Sequence, residues 1–144
     1  MKTVANSYRE TEVMTASPER LHLMVVEAAV RFARQGEAAL RVKDYDVSYH
    51  ALSQCRSCVS EIIGGISNDP NPELAERLKA LFAFAYRNLV QADLLHDPQP
   101  ACEVLKILEA HRQTWLELMA RLQQEQAENR RPVVGETAAT SWTA

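Results

Sequence analysis

Three short patterns bring reactive side chains close together in the sequence. Cys55 and Cys58 form a Cys-x-x-Cys pair in "CRSC". Such a pair does redox chemistry when it opens a helix after a strand, where the thiolate is stabilised. Here it falls inside a predicted helix, with Cys55 on the apolar stripe, which implies buried structural thiols. A zinc site needs two further ligands, and only Cys102 and a distant histidine are on offer. Glu19 and His22 form one Glu-x-x-His in "ERLH". Di-iron bundles use two such motifs and two further glutamates. No second copy of the motif exists in this chain. No Gly-rich phosphate loop and no Ser/His/Asp arrangement stands out. The expectation is no catalysis, no metal and no cofactor.

"HALSQ" (His50–Gln54) is the third pattern. A histidine on a four-helix bundle accepts a phosphoryl group in histidine phosphotransfer domains. The usual His-x-Leu-Lys-Gly pattern of those domains lacks its lysine and glycine here, where Ser53 and Gln54 stand. A solvated surface histidine is the plainer reading of His50. His96 and His111 lie near or on helices without suitable partners in the sequence.

The elements that must position these groups are helical. The chain has 144 residues, enough for one domain with a sizeable core. With 24% charged and 47% hydrophobic residues it reads as an ordinary soluble protein. Long Ala/Leu/Glu/Arg-rich stretches and only four glycines favour helices. A net charge of −3 without a basic patch excludes nucleic acid as a partner. No stretch approaches the roughly 18 apolar residues of a membrane span. The start "MKTVANSYRETEV" lacks an apolar signal region. Three cysteines without a disulfide-rich pattern fit a reducing cytoplasm.

Ser17 followed by Pro18 is a helix start, because proline lacks an N–H where none is needed. The first helix should reach about Val42. Asp44 can cap the second, which carries Leu52, Cys55, Val59, Ile62 and Ile66 at alternating spacings of three and four. Asn71 and Pro72 repeat the cap-then-proline signal for the third. "HDPQP" (His96–Pro100) opens a fourth, lasting to roughly Gln126. Segments of similar length, about 35–40 Å each, with short connections imply an all-α, antiparallel up-down four-helix bundle. Residues 1–17 then form an N-terminal capping segment, 18–126 the bundle and 127–144 a disordered tail.

Two helices carry more apolar surface than one core face requires. On the first, Leu21, Val25, Ala28 and Phe32 make an expected core face, while Leu23, Val26 and Val30 make a second. On the third, Leu74, Leu78, Leu81, Ala85, Leu89 and Ala92 make the core stripe. Phe82, Tyr86 and Val90 flank it, and Phe84 lies off both. The fourth offers Val104, Leu108, Trp115, Leu118 and Leu122 to the core. The surplus is either enclosed by neighbouring helices or forms a groove for a partner helix.

Several of these residues taken together resemble a known family. Tyr8, Val13, "TASP" (Thr15–Pro18), Leu21, Met24, Glu27-Ala28 and Phe32 look like the opening of the flagellin export chaperones. "ELAERLKALFAFAYRNLVQADLLHDP" (Glu73–Pro98) resembles the family's third helix, and "EVLKILEAHRQTWLEL" (Glu103–Leu118) its fourth. The chain departs from the family at Val25-Val26, commonly Leu-Tyr, and at Phe82 and Asp93.

The resemblance implies a cytoplasmic helical chaperone that is not an enzyme. It would bind the disordered C-terminal segment of flagellin, block premature polymerisation and deliver it to the flagellar type III export gate. It would need no cofactor and act as a monomer or weak homodimer. Tyr8, Val13, Met14 and Thr15 would then cover the client site, with Leu23, Val26, Val30, Phe82, Tyr86 and Val90 as client-binding residues. Histidine phosphotransfer through His50 and a homodimeric adaptor are the alternatives.

Overall fold

The computed structural model describes residues 15–130. It contains four helices in sequence: α1 (Pro18–Arg41), α2 (Tyr45–Gly64), α3 (Pro72–Leu95) and α4 (Pro98–Arg130). The first three starts have side-chain caps at the residues the sequence points to. Ser17 accepts from the Arg20 N–H at 3.2 Å, Asp44 from Val47 at 3.4 Å and Asn71 from Leu74 at 3.2 Å. These bonds satisfy donors that the first turn leaves free. α3 stops at His96, whose φ of 50° turns the chain out of the helix. α4 runs past the expected Gln126 to Arg130, so its last turn includes residues assigned to the tail.

The helices form an all-α bundle in which α1 packs on α2 and α4, and α3 on α2 and α4. Cys55 on α2 meets Ala29 on α1, and Leu52 meets Gly36, so these two helices run in opposite directions. Arg34–Glu109 and Arg112–Glu27 ion pairs mark the α1–α4 seam. Both pairs are substantially exposed, so each adds little stability. The core is apolar and continuous, from Val26, Val30 and Leu40 through Leu52, Val59 and Ile62 to Phe82, Leu89, Val104 and Leu108.

The structure exchanges the two faces of α1. Leu23, Val26, Ala29, Val30 and Ala33 are buried, whereas Leu21, Val25, Ala28 and Phe32 are only half-buried. Small residues explain the rotation. Ala29, Ala33 and Gly36 fall in line with Val26 and Val30, and this low ridge lets α2 approach closely. A β-carbon at Gly36 would stand 2.6 Å from Leu52 Cδ2. α3 is rotated too. Phe82 is fully buried, and Leu74 and Leu81 are exposed rather than in the core. On α4 the fully buried positions end at Leu108, while Leu118 and Leu122 are 42% and 37% exposed. Trp115 already meets Glu19 in the first turn of α1, so the residues beyond it have outrun that partner.

Substituting glycines tests this packing. Alanine ordinarily gains up to about 1 kcal/mol over glycine within a helix. Gly36→Ala should instead destabilise by about 1–2 kcal/mol, because overpacking against the buried Leu52 outweighs that gain. Gly64, with nothing within 4 Å, should accept alanine with a gain of about 0.5 kcal/mol. Urea unfolding of the two variants reads both signs.

Candidate functional site

A cleft of about 620 Å³ lies at the end of the bundle where α1 and α3 begin and α2 finishes. Buried Ile62, Ala75 and Phe82 lie at its base. Ile66, Leu78 and Trp115 add half-buried apolar wall, and exposed Glu19, Ser67, Asp69 and Asn71 surround the mouth. The α2–α3 connection supplies much of this rim, because Gly64-Gly65 and two prolines end α2 before the cleft closes.

His22 and His111 also line the cleft. Their Nε2 atoms lie 2.9 Å apart, so one ring donates its N–H to the other's lone pair. The ring centroids are 5.2 Å apart, longer than the N···N distance by about the two ring radii. The nitrogens therefore meet head-on as hydrogen-bond partners, and do not converge on a common point as metal ligands do. Among the described residues no group of three or more His, Cys, Asp or Glu could hold a metal ion. Trp115 lies 4.4 Å from His22 between ring centroids, and Phe82 stands edge-on to His111 at 5.0 Å. The Trp115 indole N–H donates to the Glu19 carbonyl at 3.0 Å, which fixes this wall to α1. Burial holds the His22 pKa below its ordinary value. Burial, and then the neighbouring His22, bring His111 down to about 4.

A second apolar surface lies on the outside of α3. Leu74, Leu81, Phe84 and Leu95 are 52%, 40%, 48% and 64% exposed. At 100° per residue they fall within about 80° of one another, on the flank next to the buried stripe of Phe82, Ala85 and Leu89.

The sequence-derived site residues divide accordingly. Tyr8, Val13 and Met14 lie outside the described residues. Thr15 is exposed. Leu23, Val26 and Val30, read as a client face, are buried in the bundle core at 3%, 0% and 5% exposure. Phe82 is at the base of the cleft, Tyr86 is exposed and Val90 half-buried. Sequence reasoning missed the pairing of His111 with His22, which are 89 residues apart. The only trace was one histidine on each of two helices that the bundle makes adjacent. His50 is exposed, beside Asp46 and Gln54. Cys55 is buried with its thiol 3.4 Å from the Ala29 carbonyl, and burial pushes its pKa up to about 12. That is the opposite of a reactive thiolate.

A family model described as flagellar protein FliS matches residues 1–122. The chain belongs to the FliS family. The Bacillus subtilis (strain 168) flagellar secretion chaperone FliS is 27% identical over 109 residues, covering 76% of this chain and 80% of the relative. The Salmonella typhimurium (strain LT2) protein of the same name is 27% identical over 119 residues, 82% of this chain and 88% of the relative. That of Campylobacter jejuni (strain 81116) is 22% identical over 113 residues, covering 78% and 88%. FliS proteins are chaperones, not enzymes. The phosphotransfer and adaptor readings gain nothing from these relatives. Among the described residues no helix is long and apolar enough to cross a membrane.

Two measurements follow from the site's chemistry. The unfolded chain binds protons at histidine near pH 6.5, whereas the folded pair resists them. Stability from the pair is therefore complete above about pH 6.5 and is lost as pH falls toward 4. Between pH 7 and 4.5 the wild type should lose about 1–2 kcal/mol more than a His22→Leu, His111→Leu variant, allowing for partial solvent screening. Equal losses in urea titrations would remove the pair as the cause. In the native state at pH 8, a thiol reagent should leave Cys55 unmodified, and unfolding should release it to react.

Proposed function

We propose that this FliS-family chain is a cytoplasmic export chaperone that binds the disordered C-terminal region of flagellin. Binding prevents premature polymerisation, and the complex is delivered to the export gate of the flagellar type III system. The relatives are named flagellar secretion chaperones, which supports the general role. The observation that carries the client reading is the exposed stripe of Leu74, Leu81, Phe84 and Leu95 on α3. A helix whose neighbouring face already fills the core has no structural need for a second, exposed apolar stripe of this length beside it. An amphipathic client segment laid along it would fold as it binds. Apolar burial offsets the ordering cost of about 2–5 kcal/mol.

Under this reading Tyr86 and Val90 make a separate client contact on the other flank of the buried stripe, and Phe82 holds α3 in shape from beneath. Leu23, Val26 and Val30 act through the core, by holding α1 in place. Residues 1–14, with Tyr8, Val13 and Met14, cover part of the client surface in the free protein, and Thr15 connects them to α1. Release at the export gate is easier when affinity is spread over many modest contacts.

Calorimetric titration with the C-terminal segment of the organism's own flagellin tests the proposal. The wild type should bind with a clearly negative heat-capacity change. Leu81→Glu with Phe84→Glu should weaken binding at least about tenfold, since two apolar contacts of about 1–2 kcal/mol each are lost. Deleting residues 1–14 should tighten binding by removing the competitor. A folded wild type that ignores the segment, or a double variant that binds it equally well, would overturn the reading.

A further inference from the structure

We infer that the cleft between α1, α3 and α4 receives a large apolar side chain of the client, flanked in the client sequence by a lysine or arginine. The inference rests on the client reading above and names the residue chemistry that its second contact site selects.

The base of the cleft is suited to an uncharged group. Ile62, Leu78, Phe82 and Trp115 supply apolar surface, and the head-on pairing of His22 with His111 uses the nitrogens that point at each other. The lowered pKa of both histidines keeps this base neutral at pH 7. A cleft of about 620 Å³ takes a leucine, methionine or aromatic side chain together with part of its helix. One wall is already set, because the Trp115 indole is bonded to the Glu19 carbonyl. An entering side chain then meets a formed surface, with less ordering to offset.

The mouth has the opposite character. Glu19 and Asp69 both line it, and neither carboxylate has an ion-pair partner among the described residues. No lysine or arginine is among the described lining residues. Lys79, which reaches the same connection, donates to Asn68 at 3.0 Å. Two carboxylates at the rim of an apolar hole favour a cation beside the buried side chain and disfavour an acidic one. The α3 stripe, by contrast, has no such requirement. The two surfaces therefore divide the labour: the stripe supplies area, and the cleft supplies register.

Trp115 and Trp142 are the two tryptophans, so Trp142→Phe leaves Trp115 as a reporter within the full chain. The probe is the flagellin C-terminal segment used for the calorimetry. Binding should shift Trp115 emission to shorter wavelength. Glu19→Gln with Asp69→Asn should weaken binding about fivefold to tenfold at low salt and flatten its salt dependence, as expected for two exposed charge contacts. Leu94→Glu, exposed near the far end of α3, should leave affinity unchanged. Circular dichroism checks that each variant folds. If the wild type binds but Trp115 emission is constant and the carboxylate variant binds equally, the cleft inference falls alone. If the wild type does not bind at all, the client reading falls and takes this inference with it.

Discussion

The close approach of α1 to α2 at Gly36 and Leu52 sets the arrangement of the other elements. There is room for no side chain at Gly36. Ala29 and Ala33 continue the same low ridge, so the face of α1 that turns inward is the one with the small residues. Leu23, Val26 and Val30 are carried into the core with them. The longer side chains Leu21, Met24 and Val25 are left half-buried along the α1–α2 seam, beside Cys58. Close packing between helices is worth more than burying the larger stripe, because dispersion contacts decline steeply with separation.

The same rotation of α1 directs His22 at α4. Its ring meets His111 and Trp115, and Phe82 closes the group from α3. This aromatic cluster ties α1, α3 and α4 together beside the cleft. The result is a preformed cleft with a neutral base and an acidic rim. The two exposed carboxylates at the mouth come from the first turn of α1, at Glu19, and from the α2–α3 connection, at Asp69.

Under the proposed client role, the protein must hold an unfolded segment firmly enough to prevent assembly and loosely enough to release it. The outer stripe of α3 and the end cleft answer those needs in different ways. The stripe presents leucines and a phenylalanine that are about half exposed, so each would add a modest amount of burial to the proposed client contact. In the inference drawn above, the cleft adds selectivity through charge, which salt modulates. Neither surface contains a reactive group, in keeping with a buried Cys55 and with histidines held neutral.

Local chemistry determined the helices. The caps at Ser17, Asp44 and Asn71 and the prolines at 18 and 72 fixed three of the starts, because capping bonds and missing N–H groups act within one turn. Spacing placed Leu52, Cys55, Val59 and Ile62 correctly in the core, since α2 has one dominant apolar stripe. The family resemblance was also legible, through an ordered set of residues on several helices. Where a helix had two apolar stripes the sequence was ambiguous. Periodicity gives the angle between the faces of α1 or α3 but not which one meets a neighbour. That choice depended on how closely backbones approach, a property of pairs of helices. The His22–His111 bond, the cleft at the end of the bundle and the acidic rim were decided only by the tertiary structure, because each joins residues whose proximity no local interaction encodes.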